Sequence, residues 1–150
     1  MYTVKGNTSM RFFHISGKIL NTLSPRIPNN ELTNNGYEDN IISRVCFSNE
    51  IDGCLMAIGK RVEDYGELYV YEPNDYSVLK IVDNNEIVNN NLVPDAIYTG
   101  ELWVLNTVKL KLLGRIKVID WKQSIINMRI KNKNNKYREH GLIPLYWENI

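Results

Sequence analysis

The sequence predicts an α+β fold with a mainly antiparallel sheet and few helices. The element signals run strand, long loop, strand, helix, then several strands. "NEIDGCLMAIGKRV" (49–62) places Ile51, Leu55 and Ile58 at i, i+4 and i+7, one apolar stripe of a helix. "ELYVYEP" (67–73) alternates Leu68 and Val70 with Tyr69 and Tyr71, the period of a strand.

Residues 1–9 are expected to fray. The first strand is "MRFFHIS" (10–16), an apolar run holding one of only 2 histidines. Segment 17–40 follows, with Pro25, Pro28, Gly36 and many Asn. It reads as a long ordered loop, and loops of that length are commonly functional. "SRVCFS" (43–48) is the second strand. Ser48 or Asn49 caps the helix over 49–62, Cys54, Met56 and Ala57 widen its stripe, and Gly53 permits a close approach. Pro73 and Asn74 end the strand 67–73. "SVLKIVD" (77–83) is a strand in competition with a loop, and 86–100 is broken by Asn, Pro94 and Gly100. "ELWVLNTVKLKLLGRIKVID" holds strands at 101–106 and about 113–120, separated by a turn or short helical turn at 107–112. The basic stretch from 121 begins as a helix, and "GLIPLYW" (141–147) is a final strand or docked tail. No linker or repeat divides the chain, so 1–150 reads as one domain with 121–150 as a C-terminal extension.

Composition narrows the function classes. The 150 residues can bury a sizeable core, and 43% hydrophobic with 23% charged residues is the balance of a soluble globular protein. A net charge of +1 supplies no global field toward nucleic acid or an anionic membrane. The polar N-terminus lacks an apolar signal core, so a cytoplasmic protein without membrane contact is expected. Cys46 and Cys54 have no second pair to complete a zinc site and read as reduced, buried small residues; no metal is expected. Heavy use of Asn, Ile and Lys fits an AT-rich coding sequence.

No Gly-rich phosphate loop, nucleophile elbow, H-E-x-x-H or EF-hand pattern occurs. The chemistry-bearing candidates are therefore individual. His14 sits among Phe12, Phe13 and Ile15, either as a hydrogen-bonded core residue or as a ligand-binding one. Arg26, between Pro25 and Pro28, either grips phosphate from a rigid loop or pairs with Glu38 or Asp39. Glu101 follows Gly100 and opens an apolar strand, as a cleft carboxylate or an edge charge. The basic stretch 129–138 is a solvated face or a nucleic-acid patch without a recognised module.

Three segments, in this order, resemble the small histidine-type form of the ADP-ribosyltransferase fold family. "FFHIS" is similar to the first-strand "hHxS/G" motif, "RVCFSNEIDGCLMAIG" to the strand-then-helix "GIYFTxxxxxAxxYA", and "GELWVLNTVKLKLLGRIKV" to the late strand that opens on the catalytic Glu. The resemblance implies a mainly antiparallel split sheet and roles for named residues. His14 would hydrogen-bond a ribose of NAD, Ser16 would help line the nicotinamide pocket, and Ser48 would stand beneath nicotinamide. Glu101 would hold the ribose 2′-hydroxyl and stabilise the oxocarbenium-like centre as nicotinamide leaves. Arg26 or Arg44 would face the pyrophosphate, Arg26 being read from the loop and not from the motif. The family's second-motif Tyr falls on Cys46 and its helix Tyr near Ala57; Tyr69 or Tyr71, from the neighbouring strand, would stand in. The expectation is NAD-dependent ADP-ribosyl transfer to a macromolecule, foremost a protein, or to a nucleotide. Size and composition suit a phage or mobile-element effector, a toxin or an anti-defence factor. The alternative is a non-catalytic nucleotide- or protein-binding module on the same scaffold.

Overall fold

Two antiparallel sheets arise from the strand segments. The computed structural model describes residues 3, 4, 6, 10–118, 136–140 and 143–149. In chain order these form β1 (His14–Ser16), β2 (Thr22–Leu23), α1 (Glu31–Asn34), β3 (Val45–Ser48), α2 (Ile51–Ile58), a 3₁₀ segment (Gly59–Asp64), β4 (Glu67–Pro73), β5 (Ile81–Val82), α3 (Asn84–Asn89), α4 (Ala96–Thr99), β6 (Glu101–Val104), β7 (Val108–Val118), β8 (Lys136–His140) and β9 (Ile143–Asn149). The larger sheet is six-stranded, β1-β4-β7-β9-β8 with β2 also paired to β7, and the smaller is β3-β6-β5. All named pairings are antiparallel, so the α+β class with few helices holds.

The small sheet shows why alternation matters. Val45 and Phe47 of β3, with Leu102 and Val104 of β6, enter one core cluster with Phe12, Leu79, Ile81 and Val108. The opposite face carries Cys46 and Trp103, packed with Val82, Ile87, Val93 and Ala96 under α3 and α4. A third cluster sets Leu55 and Cys54 of α2 on Ile15, Leu68, Val70 and Ile116 of the large sheet. Each strand thus feeds two apolar layers by its two-residue period.

Several boundaries differ from the sequence expectation. The loop 17–40 contains β2 and α1, the latter closed by an Asn30–Thr33 capping box. The helix begins one residue beyond the expected caps, with Glu50 as N-cap, and stops at Gly59, whose φ of 65° leaves helical space. Met56 and Ala57 face solvent and do not widen the stripe. Gly53 does permit a close approach: a Cβ there would collide with the Thr99 carbonyl and the Ser48 hydroxyl. Residues 108–112 of the expected turn at 107–112 are strand. β7 runs through them without interruption, and Gly114 marks a bulge, because Val70 pairs with Gly114 but Tyr71 with Leu112. Of 77–83 only Ile81–Val82 is strand, and the broken stretch 86–100 carries most of α3 and all of α4. The expected final strand is β9. The helix expected from 121 and residues 129–135 of the basic stretch lie outside the described residues.

Candidate active site

The two sheets touch and then separate. Phe13 N–H donates to the Ser48 carbonyl at 2.7 Å, and Ser48 N–H donates to Phe13 at 2.9 Å. One residue later β1 turns to pair with β4, His14 opposite Tyr71. Backbone groups of an antiparallel strand alternate in direction, so Cys46, two residues before Ser48, presents its carbonyl to the edge that β1 has left. The His14 side chain fills that vacancy, Nδ1 lying 2.9 Å from the Cys46 oxygen. A carbonyl can only accept, so Nδ1 carries the proton and neutral His14 keeps an acceptor lone pair on Nε2. Burial, and secondarily the nearby Arg26 guanidinium, push the His14 pKa down against the opposing pull of the Cys46 carbonyl, favouring the neutral ring. The chain returns to β3 at a second bridge, Arg26 N–H to the Arg44 carbonyl and the reverse, both at 3.0 Å.

Cavities flank the split. One, of about 230 Å³, is lined by His14, Cys46, Ser48, Arg61, Thr99 and Glu101 among others. The other, of about 610 Å³, is lined by His14, Ser16, Lys18, Arg26, Cys46 and Tyr65 among others, and no carboxylate faces it among the described residues. His14 and Cys46 line both, so they form the shared wall. His14 and Glu101, far apart in sequence, therefore meet at one cavity, with Ser48 directly opposite Glu101 across β3 and β6.

Gly100 delivers Glu101 to this place. It ends α4 in the left-handed region, φ 69° and ψ 24°, and lets the chain reverse into β6. Glu101 Oε2 accepts a hydrogen bond from Trp103 Nε1 at 2.8 Å. Burial raises its pKa to about 7; the Trp103 bond and Arg44 oppose that rise, while Glu38 and Asp95 add to it. A carboxylate so placed ionises near neutrality, in a half-enclosed site where its charge is poorly screened. Both thiols are pushed up to about 12, chiefly by burial, so neither Cys46 nor Cys54 is a nucleophile at neutral pH.

Other expected residues fare differently. Ser16 and Arg26 line the larger cavity, and Arg26 has no carboxylate partner among the described residues. Ser48 lines the smaller one, but its hydroxyl is engaged, donating to the Thr99 carbonyl and accepting from Glu50 N–H at 3.1 Å. Arg44 lines the larger cavity too, but its side chain is 0% exposed and its guanidinium pairs with Asp39 at 3.1 Å. That pairing also answers the Arg26 alternative, since Glu38 and Asp39 face Arg44 instead. Tyr69 and Tyr71 line neither cavity. Tyr69 donates to Glu67, and buried Tyr71 donates to the Lys18 carbonyl while accepting from Leu20 N–H, bracing the loop that walls the larger cavity. Cys46, expected buried, is partly buried in the shared wall.

Sequence reading missed Arg61, from the 3₁₀ segment, and Tyr65, whose ring lies against Gly17 so closely that a Cβ there would strike it. The only sequence signal for Tyr65 is its position in "DYGE", just past a helix end. Among the described residues no group of His, Cys, Asp and Glu is arranged to hold a metal ion, and no helix is long and apolar enough to cross a membrane. Compared with protein-family models, curated proteins and solved structures, the chain matches none.

Proposed function

We propose that the chain is an NAD-dependent ADP-ribosyltransferase acting on a macromolecule or nucleotide, in keeping with a phage or mobile-element effector. The observation that carries this reading is the meeting of His14 and Glu101 at one cavity, beside a second cavity lined by Lys18 and Arg26. The smaller cavity takes the nicotinamide riboside half, and the cationic one takes the phosphates. His14 Nε2 accepts a hydrogen bond from a ribose hydroxyl. Glu101, ionised, holds the 2′-hydroxyl and stabilises positive charge at C1′. The C1′–N bond breaks, nicotinamide leaves with the bonding pair as a neutral molecule, and the acceptor's nucleophile forms the new bond while losing its proton. Tyr65 supplies an aromatic face at the larger cavity.

A second reading is a non-catalytic nucleotide-binding module. Cys46 and Ala57 support it, because both line the smaller cavity where the resemblance expects tyrosine rings. Incubating the purified protein with NAD separates the two readings. The transferase releases nicotinamide and labels an acceptor in host lysate, and Glu101→Gln loses both while keeping its fold. A thermal shift with NAD but no nicotinamide release would establish the binding module instead.

A further inference from the structure

The Glu101 carboxylate stands at the end of a buried chain of contacts. Trp103, two residues along β6 and on the same face, is 0% exposed and spends its N–H on Glu101 Oε2 at 2.8 Å. Over the indole lies the Arg44 guanidinium, its central carbon 4.1 Å from the ring centroid. Arg44 Nη1 donates to the Asp39 carbonyl at 2.9 Å, to Asp39 Oδ2 at 3.1 Å and to the Ile42 carbonyl at 3.0 Å. Asp39 Oδ2 also accepts from Ile41 and Ile42 N–H, so the loop that holds the arginine is itself tied. Glu38 Oε2 stands 3.9 Å from Nη2. The indole is held by packing and the guanidinium by its loop through Nη1, while Nε and Nη2 are buried without a hydrogen-bond partner.

We propose that Arg44 and Trp103 are positioning residues, a relay that fixes the Glu101 carboxylate toward the cavity and favours its ionised form. The catalytic role of the relay rests on Glu101 being the reacting carboxylate; its hold on the carboxylate rests on the geometry alone. A cation over an indole draws ring density toward itself and makes the N–H a stronger donor. A stronger donor holds the anion better than the acid. The relay counters burial together with the like charges of Glu38 and Asp95, which face Glu101 from the loop and from the start of α4. His14, Arg61, Cys46 and Cys54 complete the charged and titratable lining of the cavity, and the thiols stay protonated in this range. An arginine that merely filled space would leave Glu101 indifferent to its removal.

The test is a titration of the full chain without NAD, from about pH 5 to about pH 9. The indole N–H resonance of Trp103 should move with Glu101, with a midpoint near pH 7, and Glu101→Gln should abolish the movement. With Glu101 followed by its carboxyl carbon, Trp103→Phe and Arg44→Gln should each raise the midpoint by about one pH unit. In turnover, Trp103→Phe should lose about fivefold in nicotinamide release at pH 7, with KM for NAD unchanged, and recover as the pH rises. An indole resonance indifferent to pH, or a midpoint unmoved in the variants that fold, overturns the relay. Should Arg44→Gln not fold, Trp103→Phe and the wild-type indole decide the matter. A titrating indole in a protein that releases no nicotinamide upholds the relay and overturns the transferase reading, so the two failures are distinct.

Discussion

At the scale of single residues, Glu101 makes a stability prediction that needs no substrate. Its unfolded carboxyl ionises near 4.5 and its folded one near about 7, so between those values the folded chain binds a proton that the unfolded chain does not. Stability therefore falls as pH rises through that window, by about 3 kcal/mol at 1.36 kcal/mol per unit. Glu101→Gln cannot ionise. Denaturant melts should show it more stable than wild type by about that amount at pH 8, with the difference gone near pH 4. On the transferase reading, Arg26→Ala should raise KM for NAD about tenfold with kcat retained, as for one charge-assisted bond, and the effect should shrink in high salt. His14, Arg26 and Glu101 stood out from the residues themselves, as an imidazole in an apolar run, a proline-flanked arginine and a carboxylate opening a strand, whereas Ser16 and Ser48 came as site residues only with the family resemblance. The sequence could not show that Arg44 points inward, since strand parity places it on the Trp103 face only once β3 and β6 are paired. Nor could it show that the Tyr71 hydroxyl, although Tyr71 pairs with His14, is occupied by the backbone of the following loop.

Among the elements, the α4–β6 junction is the most sensitive. Gly100 holds φ 69°, and a Cβ there would collide with the Asn49 side chain. Gly100→Ala should cost about 1–2 kcal/mol from the left-handed backbone alone, with more from the collision, and should also lower NAD turnover by displacing Glu101. Chemical denaturation beside a nicotinamide-release assay checks both. The strand β7 was legible only from about residue 113; Val108, Leu110 and Leu112 alternate with Lys109 and Lys111, a two-residue period that the expected turn at 107–112 passed over. Gly114 obscured it, because a glycine inside a strand pattern reads equally as a turn or as a bulge, and only the pairing of Val70 and Tyr71 decides. The short helices α3 and α4 were hidden for a different reason. Segments of that length gain little from propensity and form because Ile87 and Ala96 pack on Trp103.

For the whole molecule, the joint between the sheets governs stability and site alike. Phe12, 1% exposed, precedes the bridge at Phe13 and packs edge-on to Phe47 and Tyr76, both at 4.9 Å between ring centres. Phe12→Ala should cost about 3–5 kcal/mol by calorimetry or denaturant melt, and weaken any ligand that spans the split. The antiparallel α+β class was readable from element order. The parting of β1 from β3 after a single bridge was not, because it depends on which edge each strand finds. That parting leaves one imidazole between two chambers, and a molecule filling both is in effect two tethered fragments. Each fragment alone should bind weakly and without blocking the other. Joined, the first to seat holds the second at high effective concentration, so the length of the connector, more than the chemistry of either end, selects what the protein accepts.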